Sequence, residues 1–270
     1  MKTEMLLLWS AVVVYVIAGS IAIVAAILRR RPDRAILAAM VTGLVLHTAS
    51  LAVRWVRLDH GPFLTMFEIL SSNVWSLTLV FAIAYARVRA IRPIAAVVMP
   101  VLFVMMGWML MTQPADGTLP PTYRTVWLFV HIGLGKVFLG AALVAVGIAG
   151  VILLRRTRFG AERFARLAPD ASLEELAYRF LGIGLVFETL MLIAGAIWAQ
   201  DAWGRYWAWD PLETWAFVTW LVVAFAIHFR STVRPAPQVA AVLVIAAFAL
   251  AFLTFFGVPF ISDVPHKGAV

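Results

Sequence analysis

Cysteine is absent from the 270-residue sequence, and charged residues are scarce. The lack of thiols excludes disulfide bonds, thiolate metal sites and thiol redox chemistry within this chain. Only 13% of the residues are charged, whereas 63% are hydrophobic, and the mean hydropathy is +0.95. Because a soluble protein of this length needs far more polar surface, the composition predicts a polytopic membrane protein.

Long apolar runs cover most of the chain, and a run of roughly 20 residues is enough to cross a bilayer as a helix. We therefore expect an all-α fold, a polytopic membrane bundle of about eight transmembrane helices in a single membrane domain over residues 1–270. The first run is too long for a signal peptide, so we interpret it as a retained helix. The runs cover about 5–28, 35–53, 72–88, 93–112, 126–154, 179–199, 214–229 and 238–260.

The formal net charge of +8 comes from basic residues that cluster between the apolar runs, as they do where they determine the orientation of membrane helices. Most of the 22 lysines and arginines follow the first, third, fifth and seventh apolar runs. The positive-inside rule places these clusters in the cytoplasm, so both termini are predicted to lie outside. This arrangement gives no reason to expect a nucleic-acid partner. Residues about 157–178 have the helical spacing of an amphipathic segment on the cytoplasmic membrane surface, although a solvated connector fits the same pattern.

Tryptophan is concentrated in one outer segment, "IWAQDAWGRYWAWDPLETWAF" at 197–217, which holds five of the 11 tryptophans. Interfacial tryptophans usually anchor helix ends, but such anchors are spread over many ends. Their concentration in an outer loop at about 198–215 favours a surface for a flat apolar ligand. Part of the segment has a simpler explanation, because Asp210, Pro211 and Glu213 are typical of a helix N-cap, first position and third position.

Two histidines are predicted to flank the tryptophan loop. His131 lies near the outer end of the fifth run, and His266 lies in the outer C-terminal tail. Two neutral imidazoles beside a flat aromatic surface suit the axial positions of a haem iron. A histidine in a spanning helix is also often a hydrogen-bonded packing residue, and that alternative stays open. Outer basic residues that could pair with haem propionates are Arg124, Arg205 and Lys267.

Two acidic residues are predicted in or near the membrane. Glu188 lies in the middle of the sixth run, where it should face protein or water. Glu68 lies in "PFLTMFEIL", for which we expect an outer re-entrant or interfacial helix.

The segment "WGRYWAWDPLETWAFVTWL" resembles the tryptophan-rich WWD signature of cytochrome c assembly proteins. It is most similar to the CcsA/ResC branch of the thiol-dependent, two-protein pathway, whose pattern is close to W-G-x-Y-W-x-W-D-P-K-E-T-W. Leu212 replaces the usual lysine. "LHTASLAVRWVRLDHGPFLTMFEIL" is similar to another segment of that family, with Thr65 where asparagine is common. The matching signature residues are Trp203, Gly204, Tyr206, Trp207, Trp209, Asp210, Pro211, Glu213, Thr214 and Trp215.

The resemblance implies a haem-handling role in cytochrome c maturation. Such a protein takes haem b across the membrane (haem transport) or receives it there, holds it in an outward-facing pocket and presents it for covalent attachment to the CxxCH motif of apocytochrome c. It works with a ResB-type partner as a component of a haem–cytochrome c ligase (holocytochrome c synthase), and thiol-reducing proteins act indirectly. The implied setting is the lipid of a bacterial plasma membrane or a thylakoid-type membrane, with the WWD loop on the extracytoplasmic side.

The resemblance also assigns roles to residues. His131 corresponds to the first outer axial ligand, and His266 corresponds by position alone to the second. His228 corresponds to the histidine of an inner haem site. The implied haem platform consists of Trp203, Trp207, Trp209 and Trp215.

Two alternatives remain at the level of sequence. A CcmC-type protein would deliver haem to a haem chaperone, although the spacing W-D-P-x-E-T favours the CcsA type. A non-haem structural subunit of a respiratory complex would use the tryptophans only for packing at the membrane interface.

Overall fold

The structure is a computed structural model, and it describes residues 2–261. Within this range every regular element is helical and no strand is present, which confirms the all-α prediction. Eight helical segments are long and apolar enough to cross a membrane, as the apolar runs predicted. The α-helices are α1 (Lys2–Ile27), α2 (Asp33–Leu58), α3 (Met66–Arg87), α4 (Ala95–Met111), α5 (Val126–Leu154), α6 (Arg158–Arg163), α7 (Asp170–Trp203), α8 (Pro211–Val233), α9 (Pro237–Phe252) and α10 (Val258–Ile261). Shorter helical segments are the 3₁₀ helices Arg89–Ile94 and Pro121–Tyr123 and the π-helical turn Leu253–Gly257.

The chain forms two compact units, which we call unit 1 and unit 2. Unit 1 comprises Met1–Thr118 and Leu153–Pro169, and its long helices are α1 to α4. Unit 2 comprises Leu119–Ile152 and Asp170–Val270, and its long helices are α5, α7, α8 and α9. A single membrane domain over residues 1–270 stays a prediction, as does the placement of both termini outside.

The beginning of α3 differs from the sequence prediction. Thr65 is the N-cap, and its hydroxyl accepts a hydrogen bond from the backbone N–H of Glu68. The Glu68 carboxylate accepts the N–H of Thr65 in return, which completes a capping box. The separate outer helix predicted around Glu68 therefore does not form, because this residue belongs to the first turn of a spanning helix. Threonine, like asparagine, is a favourable N-cap residue.

A buried arginine connects three parts of unit 1 at this end. Arg54 of α2 is only 3% exposed, and its Nε donates to Glu68 Oε1 over 2.7 Å. The same guanidinium donates to Glu4 of α1 over 3.3 Å and to the carbonyl of Ala115 over 2.6 Å. A desolvated guanidinium is stable only where carboxylates and carbonyls satisfy it, so these contacts depend on one another.

Arg57 extends this network toward the solvent. It donates to both Glu4 oxygens over 2.9 Å and to the Asp116 carboxylate over 2.7 and 2.9 Å. The hydrogen bonds from Arg57 hold the pKa of Asp116 below its usual value. The loop that follows α4 is thereby attached to the end of α2.

The predicted amphipathic segment at about 157–178 is not one continuous helix. Its first part is the short helix α6, and its last part forms the first turns of α7. Helix α7 has 34 residues and is therefore about 51 Å long. This length exceeds the roughly 40–45 Å of a bilayer with its headgroups. The extra length includes the polar first turns of α7, which precede the apolar run predicted at about 179–199. Its position on a membrane surface stays a prediction.

Candidate functional site

The tryptophan loop of unit 2 is fixed at both ends. Helix α7 ends at Trp203, and Gly204 follows with a φ of 72°, a left-handed conformation typical of the residue after a helix. At the other end, Asp210 Oδ1 accepts the N–H of Glu213 over 2.9 Å, and Pro211 occupies the first helical position. The predicted capping roles of these three residues are confirmed. The Glu213 carboxylate also accepts the N–H of Ala208 over 2.7 Å, which fixes the loop immediately before the cap.

Trp209 has an unusual backbone conformation. Its φ is 58°, and its side chain is 68% exposed. A left-handed conformation costs a residue with a Cβ about 1–2 kcal/mol. Residues held in such conformations cluster at ligand-binding and active sites. The combination of backbone strain and an exposed indole makes Trp209 a candidate for contact with a ligand.

His131 is oriented by the helix opposite it. Its Nδ1 lies 2.9 Å from the carbonyl oxygen of Met191 in α7. Because a carbonyl can only accept, Nδ1 carries the proton of the neutral ring and Nε2 carries the lone pair. The imidazole lies nearly parallel to the indole of Trp198, with an interplanar angle of 16° and centroids 6.1 Å apart.

A glycine in α7 makes room for this imidazole. A Cβ added to Gly195 would lie 2.7 Å from His131 Nδ1, closer than carbon and nitrogen atoms approach without displacement. Gly195 lies one turn after Met191, so the hydrogen-bond acceptor and the space for the ring are on the same helix face.

Three aromatic residues form a cluster beside His131. The ring of Tyr123 meets Trp198 edge-on at 5.2 Å and Trp203 at 5.9 Å, and the two indoles are 4.9 Å apart. Trp203 Nε1 donates to the Tyr123 hydroxyl over 3.3 Å. Edge-to-face contacts at these distances hold the rings in defined orientations. The short helix Pro121–Tyr123 is thus attached to the end of α7.

A second aromatic group lies between the loop and α8. Trp207 and Trp209 meet edge-on at 5.6 Å, and each contacts Phe217, at 6.4 and 6.5 Å. Phe217 in turn stacks on Trp220 with an interplanar angle of 7°. Three of the four predicted platform tryptophans are therefore divided between two aromatic groups, with Trp203 in the first and Trp207 and Trp209 in the second.

The remaining predicted site residues occupy varied positions. The ring of Trp215 makes no ring contact within residues 2–261, and it is exposed, as are Tyr206, Arg205 and Arg124. His266 and Lys267 lie outside the residues that the structure describes. His228 is exposed and lies 17 residues after Pro211, about 26 Å along α8 from the tryptophan loop. It is therefore at the opposite end of that helix.

The comparison with known proteins decides the family. A family model described as "Cytochrome C assembly protein" matches residues 63–266, which is well over half of the chain. The chain belongs to the cytochrome c assembly protein family. Curated members of this family carry the name cytochrome c biogenesis protein CcsA. The protein from Atropa belladonna is 27% identical over 245 residues, covering 78% of each chain.

Two further relatives have the same name. The protein from Guillardia theta is 28% identical over 245 residues, which cover 82% of this chain and 80% of the relative. The protein from Gloeobacter violaceus is 28% identical over 277 residues, covering 82% of each chain. These relatives confirm the resemblance to CcsA-type proteins and support a role in cytochrome c maturation. A structural subunit of a respiratory complex has no support from this family.

The sequence predicted no site role for Met191, Gly195, Tyr123 and Phe217, which the structure adds. Trp198 is one of the five clustered tryptophans, but it was not among the four predicted platform residues. The sequence "GAIWA" at 195–199, which also resembles the family, holds both Gly195 and Trp198. The carbonyl of Met191 could not be predicted, because any backbone position has one.

Proposed function

We propose that this protein, in its role in cytochrome c maturation, binds haem b at the tryptophan-rich end of unit 2. His131 is one axial ligand, and the haem is presented there to the cysteines of the CxxCH motif in apocytochrome c. The observation that carries this proposal is the hydrogen bond from His131 Nδ1 to the Met191 carbonyl. Histidines that ligate metals generally donate their other N–H to such an acceptor, which fixes the ring and raises the basicity of the ligating nitrogen.

The aromatic residues suit a large, flat and apolar molecule. Trp198 limits the rotation of the His131 ring from one side, and the exposed indole of Trp209 offers a face for stacking. The platform of this proposal includes Trp203, Trp207 and Trp215. The exposed guanidinium groups of Arg124 and Arg205, together with Lys267, supply charges for the two propionates.

The chain's own contribution is positioning. Haem supplies the carbon atoms that form thioether bonds, and apocytochrome c supplies the thiols, so a chain without cysteine suits this task. Fixing the orientation of the ligand and excluding water around it are the means by which the site favours attachment. A ResB-type protein completes the active complex in this proposal.

The proposal assigns two further histidines. His266 is the second axial ligand, and His228 belongs to an inner haem site at the other end of α8. The membrane is a bacterial plasma membrane or a thylakoid-type membrane, with the tryptophan loop on its extracytoplasmic side.

The visible spectrum of the purified full-length protein tests this function. We expect a haem Soret band in the wild type and its loss in the double variant His131→Ala, His266→Ala. The control is His60→Gln, which removes an imidazole from unit 1. The ring nitrogens of His60 lie 2.9 Å from the carbonyl oxygens of Gly61 and Gly117, and a glutamine amide can keep the second contact. A colourless wild-type protein, with cytochrome c maturation unchanged in the double variant, would overturn the proposal.

Delivery of haem to a chaperone is the alternative for the same site. It is distinguished by the partner that copurifies with the protein. A ResB-type protein supports the proposal, and a haem chaperone supports the alternative.

A further inference from the structure

Unit 1 contains a strongly basic cavity, and every residue that lines it belongs to unit 1, whereas the described residues of the proposed haem site belong to unit 2. It lies where α1 ends, where α2 begins, beside the 3₁₀ helix Arg89–Ile94 and beside residues 162–167, and its volume is about 110 Å³. Two carboxylates, Asp33 and Glu162, also line it. Every basic residue in its lining is an arginine: Arg29, Arg30, Arg31, Arg92, Arg163 and Arg166.

The carboxylates neutralise only part of this charge. Glu162 pairs with Arg29 over 3.3 Å, and Asp33 pairs with Arg92 over 3.2 Å. Six arginines against two carboxylates leave a formal excess of four positive charges. Within residues 2–261, the remaining four arginines form no ion pair. Like charges this close repel one another, so the cavity gains stability from any anion that enters it.

Arg163 is positioned by an aromatic ring, and its Nε has no hydrogen-bond partner among residues 2–261. The Arg163 guanidinium lies 5.4 Å from the centre of the Phe159 ring, in a cation–π contact. Its Nε is buried and has no hydrogen-bond partner in the described part of the chain. A buried donor without an acceptor is costly, and an anionic oxygen would satisfy it.

The size of the cavity limits what can enter. Sites for drug-sized ligands have volumes of about 300–1,000 Å³. A cavity of about 110 Å³ therefore suits a phosphate-sized group and not a whole macrocycle such as haem. Planar guanidinium groups pair with phosphate oxygens through two parallel hydrogen bonds, which makes arginine a favoured residue for this group.

The depth of the cavity indicates the source of the phosphate. Helix α1 has 26 residues and is about 39 Å long, close to the roughly 40–45 Å of a bilayer with both headgroup layers. The cavity lies at its C-terminal end, hence at the level of lipid headgroups. Its walls include the small apolar residues Ala22, Ala25 and Ala26 of the same helix. Basic pockets between membrane helices on the cytoplasmic side typically bind anionic lipid headgroups.

We propose that this arginine-lined cavity of unit 1 binds the headgroup phosphate of an anionic phospholipid. None of its lining residues is part of the proposed haem site, and its role is to hold the ends of α1 and α2 and residues 162–167 together at the membrane surface.

Binding to nanodiscs of defined composition tests the site. Full-length protein is reconstituted with phosphatidylcholine alone or with added phosphatidylglycerol, and the lipids retained after mild detergent extraction are counted by native mass spectrometry. We expect retention of phosphatidylglycerol by the wild type, and on the order of a hundredfold weaker retention in the triple variant Arg31→Gln, Arg163→Gln, Arg166→Gln. These arginines are not the ones paired with Asp33 or Glu162.

A matched control removes three positive charges from the same side of the membrane, the side predicted to be cytoplasmic. The triple variant Arg89→Gln, Arg156→Gln, Arg158→Gln changes exposed arginines that do not line the cavity. It should retain phosphatidylglycerol as the wild type does. Equal loss in both triple variants would mean general attraction to the surface and would overturn the proposal.

Two further measurements exclude other sources of the anion. If inorganic phosphate at millimolar concentration displaces phosphatidylglycerol completely, the ligand is a soluble phosphate. If the triple variant loses haem but retains phosphatidylglycerol as the wild type does, the cavity binds haem propionates. Either result overturns the proposal. If the triple variant does not fold, the single variant Arg163→Gln is measured instead. It should lose part of the thermal stabilisation that phosphatidylglycerol gives the wild type, and an unchanged stabilisation contradicts the proposal.

Discussion

At the scale of single residues, the site of unit 2 depends on how His131 is held. The sequence predicted this histidine, but the tryptophan that lies parallel to it, Trp198, was not among the four predicted platform residues. It could not predict the tautomer, because the tautomer depends on the Met191 carbonyl of another helix. It also did not predict the positive φ of Trp209, because residues with a Cβ seldom adopt this conformation.

Gly195 offers a test of the space around His131. Gly195→Ala places a methyl group about where the imidazole now lies, so we expect the ring to move and haem retention to fall severalfold. Gly182→Ala in the same helix is the control, because nothing lies within 4 Å of its added Cβ. Alanine in a helix interior is favoured over glycine by roughly 0.5–1 kcal/mol, so the control should be as stable as the wild type or more so. Equal Soret absorbance in both variants would show that the close contact has no role.

At the scale of helices and their connections, the sequence predicted the number of spans well and their ends less well. Apolar runs mark the part of a helix inside the lipid, which is why eight were found. They do not mark where a polar helix end stops, so the first turns of α3 and α7 were missed. The network around Arg54 was missed because its partners come from positions 14 and 50 residues away.

Arg54 is expected to be the most sensitive charge in unit 1. Arg54→Ala leaves the carboxylates of Glu4 and Glu68 in a buried site without this partner, and breaking a buried ion pair costs about 3–5 kcal/mol. Arg179→Ala is the control, because its pair with Glu175 is exposed and such helix pairs contribute about 0.3–0.5 kcal/mol. Thermal unfolding in detergent measures both. A loss for Arg54→Ala no larger than that of the control contradicts the assignment.

Replacing Glu188 is expected to raise the stability, in contrast to replacing Arg54. Its side chain is fully buried in α7, and neither carboxyl oxygen has a hydrogen-bond partner among residues 2–261. A buried polar group without a partner costs about 1–3 kcal/mol, so Glu188→Leu should raise the thermal stability. Glu188→Gln keeps a polar group and should change it little. A lower stability of the leucine variant would show that the carboxyl group is satisfied in the membrane.

At the scale of the whole molecule, the charge distribution predicts the orientation. The basic clusters follow every second span, and this regularity is independent of how the two units are built. The structure supports the eight spans on which the count depends. The sequence did not indicate two compact units, because the helices of unit 1 and unit 2 have similar composition and no repeated motif.

The absence of cysteine makes the orientation directly measurable. Single cysteines are introduced by Asp201→Cys near the tryptophan loop and by Arg158→Cys in α6, both at exposed positions. A membrane-impermeant maleimide should label the first in intact cells and the second only after permeabilisation. The wild-type chain is the unlabelled control. The reverse labelling pattern would contradict the predicted topology.

The central claim, that His131 holds haem through its Nε2, is tested most directly by removing only that imidazole. The full-length variant His131→Gly is purified, and its Soret absorbance is measured with and without added imidazole. The account predicts a large loss of absorbance that free imidazole largely restores, because the surrounding aromatic groups remain in place to receive it. A Soret band in the variant as strong as in the wild type, without imidazole, would contradict the account.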